Sequence, residues 1–389
     1  MISEIHTHED PILTREEAIE ILNTPDDQLD MLIERAGILR KKYKGNRVSI
    51  HILTNVRSGN CTQDCAYCAQ SCRSDADIDT YKWVDDDKLY NDNDFVNEYH
   101  LSRHCIGLSG MGFTDADIEQ LAGRIRKMKE TGTHLCCSIG FLTEKQARML
   151  KDAGLDRVNI SLDTLDPSLF GKITRLGRLE QTMAGIDAAL AWGFEPVKVN
   201  CVVVRRLNQD VAALARLTLD RPIHLRFIEY MPIGDERTSS HCAVDPHAPA
   251  LNPELWDVSD TVPSDELRAR INAGAAATGL GELETLDIND APAGAGPARY
   301  WHFPDAVGTV GFISAMSNHF CANCNRLRLT ADGNVRPCLF SDAEYSVREA
   351  LRRGDDMQVL SIWRDAVAHK PQEHAIIEGT QRFMSQIGG

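Results

Sequence analysis

Three closely spaced cysteines are the first residues in this sequence that could do chemistry. Cys61, Cys65 and Cys68 are arranged as C-x3-C-x2-C and follow an apolar, strand-like run at residues 48–54. Cysteine thiolates are the usual ligands of iron–sulfur clusters, and three of them can bind three irons of a [4Fe–4S] cube and leave the fourth iron open. The alternative is a structural zinc ion with Cys72 as a fourth ligand. Zinc knuckles usually pair two C-x2-C units, so the wider first spacing favours the cluster.

This motif resembles the signature of the radical S-adenosylmethionine (SAM) enzymes, because the aromatic residue Tyr67 directly precedes Cys68. In that superfamily the amino and carboxylate groups of SAM chelate the open iron. An electron from the cluster then splits the sulfonium and yields a 5′-deoxyadenosyl radical. The resemblance therefore implies SAM as a cofactor, Cys61, Cys65 and Cys68 as the catalytic metal ligands, and a reductant as a partner.

A second group of three cysteines lies near the C-terminus, where Cys321, Cys324 and Cys338 are arranged as C-x2-C-x13-C. His319 could complete a zinc site of three cysteines and one histidine. Arginines lie among these cysteines at positions 326, 328 and 336, and we expect only Asp332 to oppose their charge. Guanidinium groups suit phosphate oxygens, so this segment is a candidate anion-binding site. A solvated basic strand beside a structural metal is the alternative.

Composition narrows the classes of protein that need to be considered. The chain has 389 residues, 43% of them hydrophobic and 25% charged, which is typical of a globular protein. No apolar run approaches the roughly 20 residues of a membrane span, and the acidic, polar N-terminus is not a secretory signal. We therefore expect a cytoplasmic protein. The net charge of −15 argues against a nucleic-acid partner. An anionic ligand would need a local cluster of cations.

The elements that must position these cysteines repeat as strand, loop and helix. Strand-like runs occur at residues 48–54, 104–108, 134–139, 158–162, 197–204 and 223–230. Amphipathic helical patterns lie between most of them, with helix starts predicted near Thr114 and Thr143. Further along, the pattern predicts a helix near residues 264–277 and strand-like runs at 300–303 and 307–313. Nearly continuous apolar strands predict a parallel sheet buried on both faces. A doubly wound sheet would have a similar pattern. However, the first cysteine motif follows the first strand and polar residues end later strands, which favours a partial or full (β/α) barrel of the TIM type.

We predict three regions. A helical layer covers residues 1–45, the barrel covers residues 46–232, and a C-terminal region with the second cysteine group covers residues 233–389. From about residue 158 onward, the sequence resembles the GTP 3′,8-cyclase family of radical SAM enzymes, which begins molybdenum-cofactor biosynthesis. The stretches that carry the resemblance are NISLDTLDP at 159–167, GIDAA at 185–189, GFEPVKVN at 193–200, RFIEYMP at 226–232, the Cys321–Cys338 motif and the terminal Gly-Gly.

This resemblance implies a set of functional residues. Cys321, Cys324 and Cys338 would bind a second [4Fe–4S] cluster, whose free iron meets the guanine of GTP. Substrate contacts would come from Lys198, Arg326, Leu327 and Arg328. SAM contacts would come from Tyr67, Ser161 and Met231, with Gly110 and Asn159 as further cofactor-binding candidates. The implied partners are GTP, a reductant and the next enzyme of the molybdopterin pathway, and a homodimer is an open alternative.

Residues 46–157 resemble biotin synthase instead. The matching stretches are the first cysteine motif, RHCIG at 103–107, LCCSIGFLTEKQA at 135–147 and LKDAGLDRVN at 150–159. Biotin synthase holds a [2Fe–2S] cluster as its sulfur source, and Cys105 and Cys136 match two of its ligands. Pro196-Val197 replace the third ligand, while the second cysteine set of the cyclase is complete. The sequence therefore favours GTP cyclisation. Sulfur insertion into dethiobiotin and a non-catalytic Fe–S or zinc protein are the alternatives.

Overall fold

The computed structural model describes residues 51–59, 61, 79–110, 112–231, 258–287, 290–292, 298–317, 327–330 and 332–370. The helical layer predicted for residues 1–45 lies outside these ranges. Within them, no helix is both long enough and apolar enough to cross a membrane.

Six parallel strands lie side by side in the order in which they occur along the chain. They are β1 (Ile52–Arg57), β2 (His104–Leu108), β3 (Leu135–Ser138), β4 (Arg157–Ser161), β5 (Val197–Val203) and β6 (Ile223–Glu229). A doubly wound sheet reverses its strand order at a switch point, whereas a (β/α) barrel adds each strand beside the previous one. The order β1 to β6 therefore confirms the predicted partial barrel.

The sheet continues beyond β6 with three strands of a different pattern. β9 (Thr309–Ile313) pairs parallel with β6, and β8 (Arg299–His302) and β7 (Glu284–Thr285) then pair antiparallel. Strands β1 to β9 thus form one sheet in which β7 to β9 extend the barrel wall. Strand-like runs at residues 300–303 and 307–313 were predicted, but their place beside β6 was not.

Helices connect the barrel strands, and several of them begin after a residue whose side chain caps the helix. Their bounds are Asp86–Glu98, Asp115–Lys129, Glu144–Asp152, Pro167–Thr174, Leu179–Ala191, Val211–Arg216 and, after β6, Ser264–Ala277. Thr114 and Thr143 each form a capping box with the residue three positions later, Asp117 and Gln146. These reciprocal bonds satisfy backbone N–H groups that have no partner within the helix. The helix starts predicted near Thr114 and Thr143 are confirmed.

The two faces of the sheet differ in chemistry. One face packs against the helices and is apolar, with Val158, Ile160, Val199 and Phe227 fully or almost fully buried in the main core. The alternate residues face the barrel lumen, because successive strand side chains point to opposite faces. On β4, β5 and β6 many of these are polar. The lumen face of these strands is therefore more polar than the face that packs against the helices.

A second, smaller sheet lies in the C-terminal region. It consists of β10 (Arg328–Leu329), β11 (Asn334–Arg336) and β12 (Tyr345–Ser346), all antiparallel. The helices Arg348–Arg352 and Asp356–Ala368 follow it. Val335, Val347 and Ala366 form its small core, so this segment has apolar packing of its own.

Candidate active site

The first cysteine motif begins at the C-terminal edge of the parallel sheet. Cys61 follows β1 and is 8% exposed. The loop after β2 supports this segment, because the Ser109 hydroxyl donates to the Gly59 carbonyl at 2.7 Å and the Ser109 N–H donates to the Arg57 carbonyl at 3.0 Å. Barrel enzymes bind their ligands at this edge. Cys65, Tyr67 and Cys68 lie outside the described residues.

Gly110 ends the same supporting loop in a conformation that favours glycine. Its φ is +141°, and a Cβ atom at this position would lie 2.8 Å from the Phe113 ring. A side chain at position 110 would therefore meet both backbone strain and a clash. The structure explains why glycine stands here, and its predicted contact with SAM stays a prediction.

The upper part of the lumen is organised around Arg226 of β6. Its Nε donates to Asn200 Oδ1 at 2.9 Å, and its terminal nitrogen donates to Asn159 Oδ1 at 3.3 Å. These contacts place Asn159, Asn200 and Arg226 on one face of three successive strands. Ser161 is the register partner of Asn200, and it is exposed at the end of β4. Met231 follows β6 and is half-buried. The structure thus brings Asn159 and Ser161 to the lumen beside an arginine.

Lys198 lies on the same face, one row below, as the register partner of both Asn159 and His224. It is 9% exposed, and burial, reinforced by Arg226, Arg103 and Arg157, lowers its pKa to about 8. Within the described ranges, no carboxylate lies at ion-pair distance from the Lys198 ammonium or the Arg226 guanidinium. A polar lumen in which Lys198 and Arg226 have no opposing carboxylate among the described residues is suited to an anionic ligand.

Two thiols lie below this lysine. Cys105 and Cys136 are register partners on β2 and β3, and their Sγ atoms are 2.7 Å apart. The hydrogen bond shared with Cys105 lowers the pKa of Cys136 to about 7, and the charges of Arg103 and Arg157 lower it further. The same bond and burial raise the pKa of Cys105. The structure therefore brings together the two biotin-synthase-like cysteines.

His224 and Tyr300 complete the described lumen near Arg226. His224 shares a hydrogen bond of 2.8 Å with the Thr309 hydroxyl, and burial lowers its pKa to about 4. Burial also raises the pKa of Tyr300, despite the opposing effect of Arg226. Both groups are therefore neutral near pH 7, so neither cancels the positive charge of the lumen.

The small sheet holds the described residues of the second motif. Arg328 pairs with Arg336 in the β10–β11 register, and Cys338 follows β11. Leu327 packs against the small core around Val335. Cys321, Cys324 and Arg326 lie outside the described residues. The structure thus places Leu327, Arg328 and Cys338 in one small unit.

One expectation about this motif is wrong. Arg336 is 1% exposed, and its guanidinium forms ion pairs of 2.5 Å with Glu344 and 3.6 Å with Asp342. Asp332 is therefore not the one acid that opposes these arginines. Arg336 stabilises the turn between β11 and β12. Its charge is compensated by these two acids and is therefore not available to a substrate. The pair could not be predicted, because Glu344 becomes a neighbour only through that turn.

Sequence reasoning also missed two lumen cations. Arg226 lay within a quoted stretch, RFIEYMP, but was not predicted as a site residue, and neither was Arg157. The available signal was alternation, since Lys198 and Asn200 on β5 and His224 and Arg226 on β6 each stand two residues apart. Polar residues at period two in otherwise apolar strands mark a face that meets water or a ligand.

Comparisons with known proteins find several relatives named GTP 3′,8-cyclase. GTP 3′,8-cyclase of Pelotomaculum thermopropionicum is 40% identical over 276 residues, covering 70% of this chain and 77% of the relative. GTP 3′,8-cyclase of Heliobacterium modesticaldum is 46% identical over 258 residues, covering 64% and 71%. GTP 3′,8-cyclase of Corynebacterium glutamicum strain ATCC 13032 is 32% identical over 386 residues and covers 94% of this chain and 91% of the relative. This last similarity extends well before residue 158, where we expected the cyclase resemblance to begin.

Two family models match adjacent segments. The Radical SAM superfamily matches residues 55–218, and Molybdenum Cofactor Synthesis C matches residues 223–376. Among solved structures, methylornithine synthase is 17% identical with a TM-score of 0.40, covering 56% of this chain and 65% of that chain. The FeFe-hydrogenase maturase HydG from Carboxydothermus hydrogenoformans is 15% identical with a TM-score of 0.42, covering 67% and 59%. The radical SAM family implies a [4Fe–4S] cluster and SAM.

Proposed function

The chain belongs to the GTP 3′,8-cyclase family, and on this basis we propose that it converts GTP into (8S)-3′,8-cyclo-7,8-dihydroguanosine 5′-triphosphate. This is the first step of molybdenum-cofactor biosynthesis. The cationic lumen supports the proposal most directly. A nucleotide triphosphate carries several negative charges, and the whole protein carries −15, so long-range electrostatics repel it. Binding must therefore come from a few convergent cations in a partly desolvated site.

Lys198 and Arg226 are two such cations. Both lie on the lumen face, and neutral amides rather than carboxylates surround the Arg226 guanidinium. Neither residue has an ion-pair partner within the described ranges, and a phosphate that enters the lumen would supply one. Each charge-assisted hydrogen bond is worth about 1.5–3 kcal/mol. We assign Lys198 and Arg226 to the phosphate groups of GTP.

The cofactor end of the site lies at the C-terminal edge of the sheet. Cys61, whose thiol is withdrawn from solvent, fits a cluster ligand, and Cys65 and Cys68 would complete the set. Bound SAM supplies a 5′-deoxyadenosyl radical when the first cluster is reduced. Gly110, Asn159, Ser161 and Met231 would position SAM at this edge, so that the ribose of a nucleotide anchored by Lys198 and Arg226 lies beside it. Orientation of this kind is the main contribution that a protein makes to cofactor chemistry.

The C-terminal region would supply the other end of the substrate site. Cys321, Cys324 and Cys338 would hold a second [4Fe–4S] cluster next to the guanine base. Arg326, Leu327 and Arg328 would line the same side of GTP. In this proposal, residues 46–232 and 233–389 form separate domains. An external reductant supplies the electron for the first cluster, and the product passes to the next enzyme of the pathway. A homodimer stays an alternative to a monomer.

Anaerobic reconstitution with iron, sulfide, SAM, a reductant and GTP tests the proposal. A cyclised GTP product and one 5′-deoxyadenosine per turnover are expected. Formation of 5′-deoxyadenosine without any cyclised GTP would contradict it. Cys65→Ala, which removes one of the three first-cluster ligands, is the negative control.

Sulfur insertion is the second candidate, because Cys105 and Cys136 lie together in the lumen. A [2Fe–2S] cluster needs four ligands, and the described residues contain no group of three or more metal-binding side chains. Pro196 and Val197 stand at the third ligand position, and Val197 is buried in the main core. These residues do not fit that cluster. Dethiobiotin should therefore remain unconverted in the same assay, and formation of biotin would reverse the ranking.

A further inference from the structure

The lumen contains two cysteines that the function proposed above does not use. We propose that Cys105 and Cys136 form a reversible redox site, in which hydrogen peroxide converts two thiols into one disulfide. This inference goes beyond the proposed function and does not rest on it, because it concerns chemistry between two sulfur atoms of this chain. The two residues are called the thiol pair below.

Sheet register brings the sulfur atoms of the thiol pair together. Cys105 and Cys136 are register partners on the neighbouring parallel strands β2 and β3, and their Sγ atoms are 2.7 Å apart. Neighbouring strands lie about 4.8 Å apart, and a disulfide joins residues whose Cα atoms are about 4.4–6.8 Å apart. The sheet therefore holds the two residues at a separation that a disulfide can span.

The two sulfur atoms differ in reactivity. The hydrogen bond shared with Cys105 lowers the pKa of Cys136 to about 7, so a large part of this group is thiolate at neutral pH. The thiolate, not the thiol, is the nucleophile in such reactions. The same bond and burial raise the pKa of Cys105, which therefore keeps its proton. Cys136 is thus suited to attack an oxidant, and Cys105 is the neighbouring thiol that completes the disulfide.

Cys137 shows how a core cysteine differs from the thiol pair. It follows Cys136 on the same strand, but it is fully buried in the main core, and burial raises its pKa. Successive strand side chains point to opposite faces, so Cys137 faces the helices and Cys136 faces the lumen. Cys137 is a small apolar core residue. Cys136 instead combines a low pKa with an adjacent thiol, which is typical of cysteines that respond to oxidants.

Access to the thiol pair selects a small oxidant. Cys136 is 7% exposed and Cys105 is half-buried, so a bulky disulfide such as oxidised glutathione is excluded from the sulfur atoms. Hydrogen peroxide is little larger than water. It also needs no binding groups beyond the attacking thiolate. The chemical class of oxidant that this site takes is therefore a small peroxide.

The reaction of the thiol pair proceeds in two balanced steps. The Cys136 thiolate attacks one peroxide oxygen, the O–O bond breaks, and a sulfenic acid forms while the released hydroxide takes up a proton to become water. The Cys105 sulfur then attacks the Cys136 sulfur, the S–O bond breaks, and the leaving hydroxide departs as water with the Cys105 proton. The two thiols lose two electrons, and one peroxide is reduced to two waters.

Oxidation of the thiol pair also changes the charge of the lumen. Burial lowers the pKa of Lys198 and of Arg226, and the charge of Cys136 opposes this effect at both residues. The thiolate therefore acts on the same cations that we assign to the phosphate groups of GTP. A disulfide carries no charge. The redox state of the thiol pair thus changes the electrostatic environment of Lys198 and Arg226.

Peptide mapping tests the inference on the anaerobically reconstituted protein. Hydrogen peroxide is added in steps until iron begins to be released, and the protein is then denatured in an alkylating agent and digested with trypsin. Mass spectrometry should find the Cys105 peptide, residues 104–124, joined to the Cys136 peptide, residues 130–145. The joined species should be two hydrogen atoms lighter than the two peptides together. Dithiothreitol before alkylation should abolish it. Thiols that are still alkylated, or two separate sulfinic acids, would overturn the inference.

Serine variants identify the sulfur atoms that react. Cys105→Ser and Cys136→Ser should each abolish the joined peptides. In Cys105→Ser, Cys136 should instead be oxidised to a sulfinic acid that dithiothreitol does not reduce. Cys137→Ser is the matched control, because it changes the next residue of the same strand, and it should leave the yield of joined peptides within the error of the measurement.

Persistence of the joined peptides in Cys136→Ser would overturn the inference, because the bond would then involve Cys137. Fragmentation of the wild-type joined peptides keeps the test decisive if a variant does not fold, since the fragments show whether Cys136 or Cys137 carries the bond. The wild-type result is read without GTP. It therefore supports or overturns the inference whether or not the protein cyclises GTP.

Discussion

Lys198 gives the sharpest prediction, because its pKa of about 8 lies within a range that can be assayed. An anionic nucleotide binds the protonated ammonium and therefore raises this pKa. GTP affinity is therefore highest well below pH 8. It falls as the pH rises through 8, because Lys198 of the free protein is then deprotonated and must take up a proton when GTP binds. One pKa unit corresponds to about 1.4 kcal/mol, or about tenfold in affinity. GTP binding should therefore be about tenfold weaker at pH 9 than at pH 7.

The effect of other titratable groups that face Lys198 must be distinguished from the effect of Lys198 itself. Cys136, with a pKa of about 7, gains a negative charge over part of the same range and weakens anion binding in the same direction. His224 is neutral throughout, since its pKa is about 4, and the raised pKa values of Cys105 and Tyr300 keep both groups neutral. The arginines do not titrate between pH 7 and pH 9.

The assay is GTP affinity by anaerobic calorimetry between pH 7 and pH 9 in a Cys136→Ser background. The loss of affinity that remains there is assigned to Lys198. Lys198→Arg in the same background should make affinity nearly independent of pH, because a guanidinium stays protonated. Lys198→Gln should bind GTP weakly at every pH. A full tenfold loss retained by Lys198→Arg would refute the argument.

Three further predictions concern the clusters, the C-terminal region and the end of β6. Cys65→Ala should abolish 5′-deoxyadenosine formation. Cys321→Ala should retain some uncoupled SAM cleavage and, by metal analysis, about four of about eight irons. Equal loss of SAM cleavage in both variants would exclude separate roles for the two clusters. Arg328→Ala should weaken GTP binding about tenfold to a hundredfold with little effect on SAM cleavage. Arg336→Ala, which leaves Glu344 and Asp342 without their cationic partner, should instead lower the free energy of unfolding by about 1.5–3 kcal/mol. Calorimetry measures the GTP affinity and chemical denaturation the stability of both variants. Loss of GTP affinity in Arg336→Ala and loss of stability in Arg328→Ala would reverse the two roles. Glu229→Gln should lower the free energy of unfolding by about 1.5–3 kcal/mol, since this fully buried carboxylate accepts bonds from Ser264, Met316 and Ser317; unchanged denaturation would contradict this.

The barrel could be predicted because its strands and helices carry local signals. β2 matches the predicted run at residues 104–108, and the helix Ser264–Ala277 begins and ends as expected. The capping residues Thr114 and Thr143 are local signals of the same kind, since each bonds to a residue three positions away. Contacts between residues three positions apart can be inferred from the local sequence alone.

The lumen was harder to predict, because its chemistry arises between strands that are distant in sequence. Arg226 contacts Asn159 across 67 positions, and no local pattern indicates that pairing. Cys105 and Cys136 are 31 positions apart and become neighbours only through the register of β2 and β3. The ion pair of the buried Arg336 with Glu344 likewise forms only because a turn brings the two residues together. The sequence therefore indicates the types of residue that act, while the fold determines which of them meet.

Isotope transfer tests the central claim most directly. GTP that carries deuterium at C3′ of the ribose is incubated anaerobically with the reconstituted protein, SAM and a reductant, and the 5′-deoxyadenosine is analysed by mass spectrometry. If the protein holds the ribose at the SAM end of the lumen, the 5′-deoxyadenosine gains one deuterium and cyclised GTP accumulates with it. Unlabelled 5′-deoxyadenosine, formed while GTP stays intact, would contradict the proposed activity.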